Sequence, residues 1–407
     1  MRCVWATLSR SGHYVLASGS KCTREKLRGR GDARSICALV PYPPNTAPSQ
    51  RFRIEQWRTL LQAEGIRVDL VPFADSTLVG FLHQFGRPMA KSAALATAFG
   101  RRFATLASLG KYDGVVVHRG ACLFGPALLE HILRLRRPLI FDFDDAIFLP
   151  HTTSANRRFG WLKFSGKTAS ICGLSAHVVV GNEYLASYAR QYNPHVTVIP
   201  SSVDTDRYRP RSKENGDRLV VGWMGTSTSQ TYLELFAPVL RQLSEKWPVE
   251  IRVVSNRVPH LPGVPFVWRP WSCEAELEDL RAFDIGIMPM PDDPWARGKC
   301  AMKALLYMSV GLSVICSAVG TNLEVIRHGE NGLLATSSEE WLTCFQALIN
   351  DPELRRRLGE AGRATVESQY SMHRCASLFG QVVRQTLDGL NPRHGRQSRI
   401  DVPWPPL

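Results

Sequence analysis

The chain has 407 residues, of which 44% are hydrophobic and 21% charged, a composition that is typical of globular proteins and excludes an intrinsically disordered chain. A chain of this length is expected to form two or three domains. The formal net charge of +14 is compatible with nucleic acid, anionic lipid or phosphorylated small molecules as partners. A dedicated nucleic-acid binder usually carries a recognisable module, and the sequence contains none, so we expect no nucleic-acid partner.

The pattern of cysteines and the hydropathy of the sequence indicate the cellular compartment in which the protein is expected. Ten cysteines are scattered without a CxxC pair, and several lie in apolar runs such as Val314-Ile315-Cys316, which predicts buried free thiols in a reducing cytoplasm. No apolar run approaches the ~18 residues of a membrane span, so we expect no transmembrane helix. Residues 1–34 carry eight Lys or Arg against two acids, and we expect them to form a loose basic extension.

Short apolar runs alternate with helical patterns from Ser35 onwards. Near-continuous apolar strands that alternate with helices indicate a parallel sheet covered on both faces. The predicted strands of this half are 36–40, 66–73, 114–118, 138–143, 177–180 and 196–199, with helices predicted over 54–65, over 126–136 and from 182 onwards.

A polar stretch over 200–217 interrupts the pattern, and a second α/β series follows it. The predicted strands of this half are 219–222, 251–254, 285–288 and 312–316, and the predicted helices include 232–243, 341–349, 352–367 and 375–387. The sequence therefore predicts two α/β domains in tandem. The predicted divisions are an extension over 1–34, a first domain over 35–200, a linker over 201–217, a second domain over 218–375, a helix over 376–391 that packs back on the first domain, and a tail over 392–407.

Ligands of open α/β sheets bind beyond the carboxyl ends of the strands, and this rule selects four loops. In the first loop, Gly225 and Thr226 precede a predicted helix, where backbone amides and the helix dipole suit a phosphate. The alternative is an ordinary capped turn.

The second loop, 292–303, is rich in cations. Arg297, Lys299 and Lys303 can offer a diphosphate both charge and hydrogen bonds, and the i,i+4 spacing of the two lysines predicts that they share a helical face. The alternative is a solvated turn whose cations pair with Asp292 and Asp293.

The third loop runs from Ala318 to Glu324 and presents Thr321 and Asn322 at a predicted helix start. Free amides there could contact a ligand, and the alternative is a capped helix.

The fourth loop contains three carboxylates, Asp142, Asp144 and Asp145, after a strand of the first domain. Clustered carboxylates repel one another, so they are rarely placed for stability. They could bind a metal, act as a base or orient substrate hydroxyls, and His118-Arg119 could face the same space. One alternative is that Asp144 or Asp145 caps the next helix while Asp142 pairs with an arginine. Another is that one of the three caps the following helix while the others pair with Arg157 or Arg158.

The order of several short segments resembles GT-B glycosyltransferases of the large retaining, family-four-like group, especially members from bacterial surface-polysaccharide clusters. The resemblance covers residues 35–390. The segments that carry it are 48–53, 142–148, 179–185, 199–204, 222–225, 297–300, 307–311, 320–324 and 331–335.

The resemblance implies two Rossmann-like domains that face each other across a cleft. It implies that the second domain binds a nucleotide-diphosphate sugar, with Gly225-Thr226 and Arg297/Lys299 on the diphosphate and the Thr321-Asn322 amides lining the donor site. It also implies transfer without a metal or other cofactor. Many members carry two glutamates separated by seven residues, and the corresponding positions here are Gly298 and Leu306.

We therefore expect an enzyme that transfers a sugar to a saccharide or polyprenyl-linked acceptor in surface-polysaccharide biosynthesis. Asp144 and Asp145 are expected to orient acceptor hydroxyls or supply a base. The protein is expected in the cytoplasm, with peripheral contact to anionic lipid at the inner face of the cell membrane. The alternatives are a degenerate GT-B protein that only binds, and a haloacid-dehalogenase-like phosphatase that uses Asp142 and Asp144.

Overall fold

A computed structural model describes residues 33–82, 88–150, 164–210 and 218–389. Most of the predicted basic extension, the end of the predicted linker and the predicted tail lie outside these ranges, as do Arg157 and Arg158. The described chain forms two parallel six-stranded sheets with helices on both faces. The predicted α/β class with two Rossmann-like domains is confirmed.

The first sheet has the strand order β2-β1-β3-β4-β5-β6, and all its strand pairs are parallel. Its strand order reverses between β1 and β3, so their carboxyl ends flank a crevice where ligands commonly bind. The strands are β1 (Arg34–Val40), β2 (Ile66–Pro72), β3 (Gly114–His118), β4 (Leu139–Phe143), β5 (His177–Val180) and β6 (Val196–Val198).

The second sheet has the order β12-β11-β10-β7-β8-β9 and reverses between β7 and β10. Its strands are β7 (Val220–Gly225), β8 (Glu250–Ser255), β9 (Val267–Pro270), β10 (Ile285–Met288), β11 (Ser313–Ser317) and β12 (Leu333–Ala335).

Helices cover both sheets. Those between β1 and β6 are α1 (Pro48–Gln50), α2 (Arg58–Ala63), α3 (Ser76–Leu82), α4 (Pro88–Ser108), α5 (Leu128–Arg136), α6 (Lys167–Leu174) and α7 (Glu183–Ala189), with a π-helix over Arg51–Glu55 and a 3₁₀ turn over Leu109–Lys111. The later helices are α8 (Ser227–Leu235), α9 (Ala237–Lys246), α10 (Glu276–Arg281), α11 (Pro294–Arg297), α12 (Met302–Ser309), α13 (Asn322–Val325), α14 (Ser338–Asn350), α15 (Pro352–Gln369) and α16 (Met372–Asp388).

Two local predictions differ from the structure, and two strands were not predicted. The single helix predicted over 232–243 is two helices, α8 and α9, because Pro238 in the first turn of α9 has no backbone N–H to continue α8. The helix predicted over 54–65 is a π-helix followed by α2. The short strands β9 and β12 were not predicted; β12 has only three residues, and β9 lies at the sheet edge, largely exposed.

The last helix, α16, packs on the first sheet although it follows the second in the chain. Phe379 is 1% exposed and lies beside Trp57, with ring centroids 5.3 Å apart, and Val383 joins the same cluster. Arg384 adds an ion pair to Glu64 at 2.6 Å. The apolar side of α16 therefore packs on the face of the first sheet that α2 also covers.

Eight cysteines lie within the described residues, and all eight are free thiols. Seven of them are buried, and Cys273 is half-buried. No helix among the described residues is long and apolar enough to cross a membrane.

We expect Phe379→Ala to lower the free energy of unfolding by about 3–5 kcal/mol, because it removes a buried aromatic ring from the contact between α16 and the first sheet. Urea denaturation followed by tryptophan fluorescence would measure the change. Phe103→Ala is the matched control, because Phe103 is 46% exposed. Equal stability of the two variants would contradict the assigned role of α16.

Candidate functional site

The loops at the carboxyl ends of the two sheets meet and form one interdomain site. Lys299 Nζ of the second domain lies 2.8 Å from Asp145 Oδ1 of the first. The Asn182 side chain, which caps α7, donates to Thr321 Oγ1 at 2.8 Å. The Cys300 thiol donates to the carbonyl oxygen of Asp144 at 3.2 Å. Residues from both domains therefore contribute to a single polar surface.

Asp142 is the most buried member of the aspartate cluster. Its side chain is fully buried, and it accepts two hydrogen bonds from Arg53 Nε, at 3.0 and 3.1 Å, and one from Nη2 at 2.6 Å. Its Oδ2 also lies 2.6 Å from His118 Nδ1. Burial opposes ionisation, but the charge of Arg53 and the His118 contact outweigh it and lower the pKa of Asp142.

Asp144 and Asp145 are held together by Arg119. The guanidinium donates to Asp144 Oδ1 at 2.8 and 3.0 Å and also to Asp145 Oδ2. Burial opposes ionisation of Asp144, yet Arg119 and His118 overcome it, so the pKa of Asp144 is held well below its usual range. Arg119 itself has φ of 62°, a left-handed conformation that costs of order 1–3 kcal/mol for such a residue and is typical of functional sites.

These contacts correct two interpretations of the cluster. Asp142 cannot reach an acceptor, because it lies under Arg53 and His118. The same burial argues against the phosphatase alternative, in which this carboxylate would attack a phosphate. Asp144 and Asp145 both pair with Arg119; the Asp144 side chain is also buried, and the Asp145 carboxylate is the one that contacts the second domain, through Lys299.

The three cations of the loop 292–303 have different environments. Arg297 is exposed and pairs with Asp292 at 2.6 Å, as the alternative interpretation predicted, while Asp293 caps α11. Lys299 is half-buried and pairs across the interface with Asp145.

The two lysines do not share a helical face. Helix α12 begins at Met302, because Ala301 before it has a left-handed φ of 50°, so Lys299 lies outside the helix. Lys303 Nζ lies 5.6 Å from the ring centroid of Trp223. Burial, followed by the charge of Lys299, lowers the pKa of Lys303 to about 8.

Gly225 and Thr226 lie at the switch point of the second sheet. Gly225 ends β7, and a Cβ there would lie 2.6 Å from the Trp223 ring, which explains the need for glycine. Thr226 is the N-cap residue of α8, and its carbonyl oxygen accepts from the amides of Ser229 and Gln230. The predicted turn between strand and helix is thus present, beside the cations of the next loop.

The prediction of free amides in the Thr321–Asn322 turn is wrong for Asn322, whose amide donates to the carbonyl oxygen of Val319 at 3.2 Å. The amide of Glu324 donates to Thr321 at 3.0 Å. The hydroxyl of Thr321 accepts from Asn182. Glu324 is half-buried, and burial followed by the nearby Glu183 raises its pKa.

Gly298 lies at a close contact between the two domains. A Cβ at this position would lie 2.7 Å from the Cβ and 2.9 Å from the amide nitrogen of Ala146 in the first domain. Leu306, the other position at which related sequences carry glutamate, is 7% exposed within the core of the second domain. Ala146 leaves no room for a side chain at Gly298, and the side chain of Leu306 packs in the apolar core.

Several residues of the site were not predicted to be functional. Ser49 Oγ lies 2.6 Å from Asp144 Oδ1 and 3.0 Å from His118 Nε2, and Arg53 holds Asp142. Asn182 joins the domains. Ser49 and Arg53 follow β1 in the chain, so the rule for strand carboxyl ends could have indicated them.

Among the residues that the structure describes, no group of three or more His, Cys, Asp or Glu side chains has the arrangement of a metal site.

We expect Gly298→Ala to lower the free energy of unfolding by about 1–3 kcal/mol, the usual cost of overpacking, because the new methyl group meets Ala146 across the interface. Differential scanning fluorimetry would show this as a lower Tm. Gly100→Ala in α4 is the control, since nothing lies within 4 Å of its added Cβ. A Tm of Gly298→Ala equal to that of the wild type would show that the interface is looser than the contacts indicate.

Comparisons with known proteins concern the second domain and the fold. Residues 287–365, which include Lys299, Lys303 and the Thr321 turn, match the family model of glycosyl transferases group 1. A glycosyltransferase 1 domain-containing protein from Xenopus tropicalis is 24% identical over 140 residues. That match covers 34% of this chain and 37% of the length of the relative.

Solved structures share the fold over most of the chain. Sucrose-phosphate synthase from Thermosynechococcus elongatus is 16% identical with a TM-score of 0.65, covering 88% of this chain and 100% of that one. Anabaena HepE, solved in complex with UDP and glucose, is 14% identical with a TM-score of 0.63, covering 86% and 100%. At these identities the likeness establishes the fold, and together with the matched domain it supports a GT-B glycosyltransferase.

Proposed function

We propose that the protein transfers a sugar from a nucleotide-diphosphate donor, held mainly by the second domain, to a saccharide or lipid-linked saccharide acceptor at the first domain. The observation that carries this proposal is the position of Lys299 and Lys303. Both lysines follow β10, beside the switch point of the second sheet, and Lys299 directly faces the carboxylates of the first domain. A leaving diphosphate gains negative charge in the transition state, and cations fixed beforehand stabilise that charge.

The proposal assigns the following roles to the site residues. Arg297 and Lys299 would contact the diphosphate, and Lys303 would add a third charge from the half-buried start of α12. Gly225 and Thr226 would let the donor approach the backbone at the switch point. Asp144 and Asp145 would contact the acceptor hydroxyl.

The proposal includes a retaining transfer that needs no metal, as the sequence resemblance implies. The solved structure of HepE contains UDP, which makes uridine donors the first to test. A panel of nucleotide sugars, including UDP-glucose, would be incubated with the protein, and the release of nucleotide diphosphate measured. Release that survives EDTA, with an anomeric proton coupling in the product like that of the donor, supports the full proposal. Binding of UDP without turnover of any donor would favour a degenerate protein that only binds.

The biological setting is also a proposal. A cytoplasmic enzyme of surface-polysaccharide biosynthesis would meet lipid-linked acceptors at the inner face of the membrane, and the net charge of +14 supports contact with anionic lipid. Flotation with vesicles of phosphatidylglycerol and phosphatidylcholine should show binding that fades as salt rises. Equal flotation with neutral vesicles would contradict an electrostatic contact.

Lys299→Ala should weaken UDP binding by about 1.5–3 kcal/mol, the range for hydrogen bonds to charged groups. Arg297→Ala should weaken it less, because Arg297 is exposed and already paired with Asp292. Isothermal titration calorimetry measures both. Lys246→Ala is the control, because Lys246 is an exposed lysine in α9. If Lys299→Ala bound UDP as tightly as the wild type, Lys299 would not belong to the donor site.

Binding of UDP should take up protons near pH 8. The lowered pKa of Lys303, about 8, leaves about half of these side chains neutral there, and a bound diphosphate favours the charged form. The affinity should therefore fall as the pH rises from 7 to 9. Calorimetry in buffers with different ionisation enthalpies measures the uptake. Lys303→Met should abolish it, and an uptake that persists in this variant would assign it to another group.

A further inference from the structure

Four large apolar side chains are exposed on two neighbouring helices of the first domain. Met89 and Phe103 of α4 are 86% and 46% exposed, and Leu128 and Leu135 of α5 are 62% and 85% exposed. These four side chains and the surface between them are here called the α4–α5 face. Exposed apolar surface that extends over neighbouring elements and is surrounded by polar residues marks an interaction site.

The contribution of α4 to this face is a continuous apolar stripe. Met89 and Phe103 lie four helical turns apart, so they lie on the same side of the helix, ~21 Å from each other at 1.5 Å per residue. The opposite side packs on the domain, where Ala98 is fully buried and the ring centroids of Phe99 and Phe73 are 5.2 Å apart. The residues between Met89 and Phe103 on the exposed side are all small and without a polar side chain, namely Ala93, Ala96 and Gly100.

Helix α5 lies beside α4 and extends the stripe into a surface. Arg137, directly after α5, donates to the carbonyl oxygens of Gly110, at 2.9 Å, and of Tyr112, both in the segment that follows α4. Leu128 and Leu135 are two helical turns apart and share one side of α5. Both helices pack on one side of the first sheet through a common core, so their exposed sides face away from the sheet together.

The charges around the α4–α5 face have one sign. Residues 88–112 and 128–137 contain seven Lys or Arg and a single acid, Glu130. Glu130 is 2% exposed, so its carboxylate does not reach the surface. Arg134 and Arg136 are exposed on either side of the second leucine of α5. The face is therefore apolar in the middle and positively charged around it.

This charge pattern favours an anionic membrane over a second copy of the chain. Two copies would bring two positively charged surfaces together, which like-charge repulsion opposes. The nearby Asp75 does not offset these charges, because it is paired with Arg101 at 2.8 Å. Lipid phosphates attract the cations, and Arg134 and Arg136 can place their aliphatic stems along the apolar region while the guanidinium groups stay at the headgroups. An apolar helical face with a basic surround is typical of helices that lie in the membrane interface.

The α4–α5 face lies near the edge of the first sheet that carries the interdomain site. The amide of Ala121, two residues after the Arg119 that holds the aspartates of the site, donates to Glu130 in the first turn of α5 at 2.9 Å. Arg102 of α4 donates to the carbonyl oxygens of the last residue of β1 and the next-to-last residue of β2, at 3.0 and 2.8 Å. The N-terminal parts of both helices therefore lie at the carboxyl ends of the strands.

We propose that the α4–α5 face docks on the surface of an anionic membrane, with its large apolar side chains among the upper acyl chains and its arginines at the lipid phosphates. This contact holds the interdomain site close to the headgroups, where a lipid-linked acceptor presents its saccharide. That consequence rests on the proposed function, whereas the contact between the face and the lipid does not.

Flotation with vesicles of phosphatidylglycerol and phosphatidylcholine tests the apolar part of the face. The triple variant Met89→Gln, Phe103→Gln and Leu135→Gln should lower the partition coefficient on the order of a hundredfold, because three large side chains no longer gain from burial in lipid. Leu235→Gln with Val258→Gln is the matched control, since both residues are more than half exposed on the second domain. An unchanged Tm would show that the triple variant is folded, and wild-type flotation of that variant would overturn the proposal.

The same assay tests the charged part of the face. Arg134→Gln and Arg136→Gln should each lower the partition coefficient about fivefold at low salt, which corresponds to about 1 kcal/mol for each cation near an anionic surface. The difference should fade as salt rises. Lys246→Gln, in an exposed position on the second domain, is the control. Equal losses in Lys246→Gln and the two arginine variants would show that the charge acts through the whole protein, which would contradict docking by this face.

Photo-crosslinking identifies what covers the face. A photoreactive phenylalanine derivative introduced at Met89 should crosslink to lipid in these vesicles, and the same group at Leu235 should not. Crosslinks between two copies of the chain, or none to lipid from Met89, would overturn the proposal.

Calorimetry with UDP separates this proposal from the proposed function. The triple variant should bind UDP as the wild type does, because none of the three residues belongs to the donor site. A wild type that floats with vesicles but neither binds UDP nor releases it from any nucleotide sugar would contradict the proposed function alone. Release of UDP by a wild type that does not float with anionic vesicles at low salt would contradict the membrane contact alone.

Discussion

A fully buried ion pair, Arg53 with Asp142, is the interaction on which the site depends. Taking two charges out of water costs several kcal/mol per ion, and this cost is offset only when the geometry and the hydrogen bonds are good. Here both carboxylate oxygens accept from the guanidinium, and Arg53 Nη1 also donates to the carbonyl oxygen of Ile199 at 2.6 Å. The pair joins the segment after β1 to the end of β4, so Ser49, His118 and Asp144 are held in register.

The second constraint is the close approach of the two domains. Gly298 and Gly181 both lie where a side chain would collide across the interface, the first with Ala146 and the second with the sulfur of Cys300. Because these glycines let the loops pack directly, Lys299 reaches Asp145 across the interface. The charge of the second domain and the carboxylates of the first are thereby placed within one site.

The order of strands and helices could be predicted because buried parallel strands produce strong local patterns of apolar residues. The positions that follow the carboxyl ends of those strands then indicated Asp144, Lys299 and Thr226 as candidate site residues. Their partners were not predictable, because Arg53 and Asp142 are 89 residues apart and Lys299 and Asp145 are 154 apart. No local period indicates that Ala301 is left-handed and delays the start of α12. Nor does any local signal distinguish the fully buried Asp142 from Asp145 three residues later.

The central claim is that segments from both domains form one donor and acceptor site. Hydrogen–deuterium exchange with and without UDP tests it most directly. The account predicts slower exchange in peptides covering 223–230 and 297–303 of the second domain, together with a change in the peptide covering 142–147 of the first, because Lys299 links the two. Protection confined to regions away from these three peptides, or no protection at saturating UDP, would contradict it.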